Sequence, residues 1–358
     1  MVQYSPKGSN EFNKQLDQNL LAMAEKIQAV LKDTFIALIL AGGYGKKEGA
    51  CVLREGKESL YNDLDLFLVV TKNMDLPSAV SDIAKTYEHI FGVDVDIAKP
   101  ITVKYIQQLP AKLMFKDLYY GHTVILGPSD IITANAPVSL QQDLPQVEAL
   151  HLMLNRGSGL LQAIIESQNL KNGKPGKDDD FVRRNYQKCT LAFGDSLLIT
   201  HKCYTPALNE RLSNLTKEIK AIDLPQASTI LALYEQAVQF KLSPDTLVKK
   251  QPEQAVLLDA AKLWVDILLY EEARRTKKEW KTASEYAQDR FIRETEQHKG
   301  KNLVRNLYKN IKNKQFSFRY PREILYGQLS NLLDHCAYTD PSWLKESQIF
   351  LERWTRYN

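Results

Sequence analysis

The chain changes its periodicity once, and that change constrains the fold more than any other feature. Up to Gly127, short apolar runs closed by glycine or proline alternate with amphipathic stretches. Beyond it, nearly every segment repeats its apolar residues at spacings of three and four. Interleaved strands and helices must build a sheet with helices packed on it, and a run of helices must pack helix on helix. An α+β chain is therefore expected: an N-terminal mixed sheet with flanking helices over 1–140, then an all-α domain over 141–358. A subdivision of the latter is expected near 224–250. At roughly 100–200 residues per domain, 358 residues allow for two domains.

In the first part, residues 11–32 carry Phe12, Leu16, Leu20, Met23, Ile27 and Leu31 on one helical face. Phe35–Leu40 (FIALIL) stops abruptly at Ala41-Gly42-Gly43 and reads as a buried strand. Residues 64–71 (LDLFLVVT) read as a second strand, 93–98 (VDVDIA) as a third and 122–126 (HTVIL) as a fourth, with a helix over 78–91. The later helices are expected over 143–167, 180–201, 206–220, 226–240, 252–283, 283–297, 301–312, 321–335 and 341–355. Breaks fall at Leu224-Pro225, at Ser243-Pro244 and in the exposed loop 171–180.

Composition excludes several classes. With 44% hydrophobic and 25% charged residues the chain is neither disordered nor fibrous. No apolar run reaches the ~20 residues of a membrane span. The first twenty residues lack an apolar signal core, and the four cysteines (51, 189, 203, 336) form no metal-ligand or disulfide pattern. A cytoplasmic protein without a membrane partner is expected. The net charge of +4 hides an uneven distribution. Residues 1–127 hold 14 basic and 15 acidic side chains, whereas 274–322 hold 15 basic against 5 acidic. Trp280, Tyr286, Phe291, Tyr308, Phe316, Phe318 and Tyr320 lie among the latter. Basic and aromatic residues together suit a polyanion such as RNA, but a helix pair with buried aromatics and a wet basic back is the favoured reading.

Chemistry concentrates in two short stretches. Asp63 and Asp65 stand two apart on a predicted strand, so both carboxylates point to one face. Leu64, Leu66, Phe67 and Leu68 make their surroundings apolar in sequence. Paired acids repel when ionised, and a divalent cation relieves the repulsion. Hard oxygen ligands suit Mg²⁺ or Mn²⁺. Upstream, the strand ending in Gly42-Gly43-Tyr44-Gly45 allows a sharp turn and close approach of a ligand to the backbone. Main-chain N–H groups there, with Lys46 and Lys47 following, suit a phosphate. A third carboxylate comes from Asp94 or Asp96. Asp96 is favoured, although alternation alone does not separate them.

These stretches resemble the nucleotidyltransferase (DNA polymerase β-like) superfamily. Gly42-Gly43-Tyr44-Gly45-Lys46-Lys47-Glu48-Gly49 is similar to the Gly-Ser-x-x-Arg-Gly-Glu-Gly form of bacterial members. Asn62-Asp63-Leu64-Asp65-Leu66 matches the acidic motif, and Val93-Asp94-Val95-Asp96-Ile97 fits the strand of the third acid. The likeness covers roughly residues 35–127. The helical remainder resembles, more weakly, the helical domains of antibiotic nucleotidyltransferases. Two departures stand out. Gly43 takes the place of a serine, so only its N–H remains, and the connection over 46–62 is long, with an exposed loop expected at Arg54-Glu55-Gly56-Lys57-Glu58.

The resemblance implies a Mg-dependent enzyme that moves NMP from an NTP, ATP by default, to a hydroxyl acceptor and releases pyrophosphate. A small-molecule acceptor is favoured over protein or RNA. Asp63, Asp65 and Asp96 would hold two metal ions, or Asp96 would accept the hydroxyl proton. Gly42, Gly43, Tyr44, Lys46 and Lys188 would bind the nucleotide. Glu48 would cap or brace the glycine turn. Arg183, Arg184 and Lys188 share one predicted helix, for which a solvated basic face is the competing reading. Asp195 would bind the acceptor or lock its own helix. The alternative function is a non-catalytic regulator that binds nucleotide or nucleic acid on the same fold.

Overall fold

A computed structural model describes residues 2–244, 250–289 and 321–357, with isolated positions at 300, 304, 307, 308, 311 and 312. The fold is α+β. An N-terminal mixed sheet with helices is followed by a largely helical C-terminal region. Among the described residues, no helix is long and apolar enough to cross a membrane.

The N-terminal part starts with helix α1 (Asn10–Leu31), capped by the Ser9 hydroxyl, which accepts from the Phe12 N–H. Strand β1 (Phe35–Leu40) runs into a one-turn helix, α2 (Gly42–Gly45). Strands β2 (Cys51–Arg54) and β3 (Lys57–Leu60) form a hairpin, and β4 (Leu64–Val70) returns to the sheet. Helix α3 (Ser78–Phe91) ends on Gly92 at φ 68° and leads into β5 (Val95–Ile97) and β6 (Ile101–Thr102). Helices α4 (Val103–Ile106) and α5 (Leu113–Tyr120) precede β7 (Thr123–Leu126).

The five-stranded sheet has the order β5-β4-β1-β7, with β6 also on β4. Strand β1 lies antiparallel between β4 and β7, while β5 and β6 run parallel to β4 along the same side. Pro100, which lacks an N–H to give to a ladder, separates those two short strands.

Alternation then assigns the two faces. Leu64, Leu66, Leu68 and Val70 join Leu38 and Leu40 beneath Leu16, Leu20, Met23 and Ile27 of α1 and Val80, Ala84 and Tyr87 of α3. The opposite face sends Ala37, Ile39 and Val69 against Ile106, Leu109, Phe115, Leu118 and Ile132, with Phe67 packed beside them. Asp63 and Asp65 belong to this second face, beyond the end of its apolar cover, and both are exposed. Of the apolar neighbours expected of them, Leu64, Leu66 and Leu68 lie on the other side of the sheet, and only Phe67 shares their face.

The segment expected as a loop at 54–58 is the tip of the β2–β3 hairpin. Arg54 pairs with Lys57, and the two intervening residues, Glu55 and Gly56, have φ of 52° and 77°. Positive φ at both central positions is the geometry that matches the twist of a two-residue hairpin.

The helical region comprises α6 (Val147–Lys171), α7 (Asp179–Thr200), α8 (Leu208–Glu218), α9 (Ala227–Leu242), α10 (Gln254–Thr276), α11 (Ala283–Gln288), α12 (Pro321–Asp334) and α13 (Pro341–Tyr357). Trp264 of α10 is fully buried, and its indole N–H donates to the Met153 carbonyl at 2.8 Å. Gly157 leaves room for that indole, since a Cβ there would meet it at 2.5 Å.

The chain divides into two compact units. One comprises Met1–Leu144, Lys202–Asn214 and Val238–Val248; the other holds Pro145–His201, Leu215–Ala237 and Lys249–Asn358. The boundary drawn from sequence at 140/141 lies close to the first change of unit. Two short stretches of the later chain belong with the sheet, where Phe240, for example, meets Tyr61 edge-on at 5.9 Å.

Candidate metal and nucleotide site

The register of the sheet builds the acidic group. Parallel pairing of β4 with β5 sets Asp65 directly abreast of Asp96. Asp63, two residues before Asp65, shares its face. Carboxylate oxygens of Asp63, Asp65 and Asp96 all lie within 4.8 Å of one another. Asp94 is not one of this group. Partial burial, then the negative charges of Asp63, Asp94 and Glu88, raise the Asp96 carboxyl above the usual carboxylate range.

The donor set fits a small hard cation. Octahedral Mg²⁺ binds oxygen at about 2.1 Å, so its ligand oxygens stand about 3–4 Å apart. The carboxylate oxygens, all within 4.8 Å of one another, are of that order of spacing. All three donors are oxygens, which favours Mg²⁺ or Mn²⁺ over softer metals.

The glycine turn sits directly beside the acids. The Ala41 N–H donates to the Asp65 carbonyl at 2.8 Å, which anchors the end of β1 to β4. Gly42 then adopts φ +61°, and a Cβ there would meet Asp65 Oδ2 at 2.2 Å. Only glycine satisfies both demands. Gly43 is different: its nearest neighbour to an added Cβ is 3.7 Å away. No side chain caps α2, so its first N–H groups have no acceptor within the helix.

Other predicted nucleotide ligands have definite places. The Tyr44 side chain is buried. Its hydroxyl donates to the Ala50 carbonyl at 2.6 Å and accepts from the Tyr61 N–H at 3.0 Å. What Tyr44 can offer a ligand is therefore its main chain. Lys46 pairs with Asp117 at 2.7 Å, with only 7% of its side chain exposed, and its stem passes over Gly121. Glu48 accepts from the Leu208 N–H at 2.7 Å, so it caps the start of α8 as well as following the turn. Lys188 is exposed on α7, in the helical unit.

On the same helix Asp180 takes both basic neighbours, Arg183 at 2.6 Å and Arg184 at 3.1 Å. Asp195 is buried and accepts from the Tyr234 hydroxyl at 2.7 Å, tying α7 to α9 within that unit. At the start of the basic stretch, Arg275 pairs with Glu272 at 2.6 Å, and Tyr286 is buried with its hydroxyl 3.1 Å from Glu272. Trp280 stacks edge-on against Tyr286 at 5.1 Å. The greater part of the stretch, including Phe291, Phe316, Phe318 and Tyr320, lies outside the described residues.

Sequence reasoning missed Asp117, Thr123 and Tyr204. The Thr123 hydroxyl donates to the Gly45 carbonyl at 3.0 Å, and Tyr204 donates to Asp117 at 2.8 Å. Only the burial of a lysine inside the turn would have signalled that an acid stood opposite.

Compared with known proteins, the chain matches no family, no curated protein and no solved structure.

Proposed function

We propose that the chain is a Mg²⁺- or Mn²⁺-dependent nucleotidyltransferase that transfers NMP from an NTP, with ATP the default donor, to a hydroxyl acceptor. The observation that carries this reading is the convergence of Asp63, Asp65 and Asp96 beside a glycine turn that approaches Asp65 too closely for any side chain. A lone acidic group is common on protein surfaces. An acidic group held by register and abutted by a turn with free main-chain donors is a narrower arrangement.

In this reading Asp63, Asp65 and Asp96 hold the metal. When bound, it supplies positive charge to the phosphates and lowers the pKa of the acceptor hydroxyl. The N–H groups of Gly42, Gly43 and Tyr44 orient the phosphates. Such transfers depend mainly on positioning and charge stabilisation. A small-molecule acceptor remains the favoured class.

The test is calorimetry with a non-hydrolysable NTP, with and without Mg²⁺. Binding should require the metal and should be largely lost in Asp65→Ala. Binding indifferent to the metal would sink the reading. Incubation with α-labelled NTPs and a cell extract then identifies which fraction acquires label.

A further inference from the structure

We propose that Asp117 and Tyr204 are positioning residues that hold the glycine turn in register with the acidic group for an incoming nucleoside triphosphate. This inference rests on the nucleotidyltransferase reading and adds two residues that the sequence did not single out.

The turn is fixed at both ends. At one end Gly42 abuts Asp65, and the Ala41 N–H is bonded to the Asp65 carbonyl. At the other end, both contacts of the Lys46 ammonium and the cap made by Glu48 reach the same distant segment or a residue tied to it. Lys46 Nζ donates to Asp117 Oδ2 at 2.7 Å and approaches the Pro206 carbonyl at 3.5 Å. Asp117 Oδ1 takes the Tyr204 hydroxyl at 2.8 Å. The Tyr204 ring lies under the guanidinium of Arg211 at 5.3 Å, and Arg211 is itself buried. Glu48 accepts from the Leu208 N–H. Residues 204–208 are thus bonded to turn residues 46 and 48, and they belong to the same compact unit as the sheet.

A lysine in a phosphate-binding turn ordinarily serves as a mobile cation. Here its stem is threaded past Gly121 and its ammonium is spent on Asp117. Its work is to fix the backbone. Main-chain donors bind phosphate well only when their directions are set in advance, and displacements of an ångström weaken such sites markedly. Asp117, with one oxygen on the turn and one on Tyr204, is the joint through which segment 204–208 sets those directions.

Two variants test this, Asp117→Asn and Tyr204→Phe. The second removes one hydroxyl and leaves the ring packing, so it reports even if the first folds poorly. Three quantities are measured on the full chain: hydrogen exchange of the 42–49 amides, Mn²⁺ affinity without nucleotide, and affinity for a non-hydrolysable NTP with Mg²⁺. The expected result is faster exchange in 42–49, Mn²⁺ affinity unchanged within about twofold, and nucleotide affinity lower by about tenfold, the size of a lost bond to a charged group. Unchanged exchange, or unchanged nucleotide affinity in the variants, overturns the inference alone. A wild-type chain that binds Mn²⁺ but no nucleotide removes the underlying reading and this inference with it.

Discussion

The α-carbon of Gly42 stands so close to the Asp65 carboxylate that a methyl group on it would meet Oδ2 at 2.2 Å. The neighbouring Gly43 has no such constraint, since nothing would lie nearer than 3.7 Å to a Cβ there. Gly42→Ala should therefore displace Asp65 and strain the positive φ, which alone costs about 1–2 kcal/mol. Mn²⁺ affinity should fall at least tenfold, on the order of the cost of moving one ligand. Gly43→Ser should fold normally and bind Mg·nucleotide at least as tightly as the parent. Melting curves and metal titrations of the two variants check the contrast, and equal behaviour would contradict it.

Three mutually repelling carboxylates also predict an inverse pair of effects. Without metal, Asp96→Asn relieves repulsion from Asp63 and Asp94 and should raise the melting temperature slightly, by about 1–2 °C. With Mn²⁺ at a hundredfold excess over its dissociation constant, the parent should gain about 2.7 kcal/mol of stability. The variant should gain little of that. Thermal melts with and without Mn²⁺ read both signs, and a metal-free loss of stability in Asp96→Asn would count against like-charge repulsion.

How much of this was legible follows from how local each signal is. The six apolar residues of β1, the alternation of β4 and the stripe of α1 are short-range, and all stand where periodicity set them, with Asp63 just ahead of β4. The β2–β3 hairpin was not visible because its strands are only four residues each and its turn is Glu55-Gly56 rather than the commoner Asn-Gly or Asp-Gly. Asp65 and Asp96 could be placed on strands from alternation, but their standing abreast depends on parallel register, which sequence does not carry. The partners of Lys46 and Glu48 lie 71 and 160 residues away, beyond any local pattern. The same distance explains why residues 202–214 and 238–248 read as part of a helical domain although they belong to the unit of the sheet.

In the helical unit, Gly157→Ala would drive a methyl group into the Trp264 indole at 2.5 Å, a fully buried ring held by its bond to the Met153 carbonyl. Overpacking of this kind costs about 1–3 kcal/mol. Chemical denaturation should show that loss, with Trp264 fluorescence altered in the native state. Gly159→Ala, which faces only the tip of Asn185, should cost less.

Glu271 gives a pH signature to the same unit. It is buried, and burial pushes its carboxyl up to about 8, with the Ser196 hydroxyl pulling the other way and Glu272 adding repulsion. The folded value lies above the unfolded one, so the native state binds more protons between them. Stability from this group is complete below about pH 4.5 and falls as pH rises towards 8, by a few kcal/mol in order of magnitude. Glu271→Gln should flatten that slope and make the variant more stable than the parent above pH 8. A parent whose denaturation midpoint is the same from pH 5 to pH 8.5 would refute the assignment.

The broken strand alongside β4 has a consequence for the protein in concentrated solution. Along that side the edge comes in pieces of three and two residues, β5 and β6, with Pro100 between them and the Val95 N–H given to the Glu88 carboxylate. On the opposite side β7 offers four residues before Gly127 and Pro128 end it. A foreign strand needs a longer uninterrupted rail of N–H and C=O groups to register against, and short or proline-broken rims deny it one. The sheet is thus poorly suited to edge-to-edge growth.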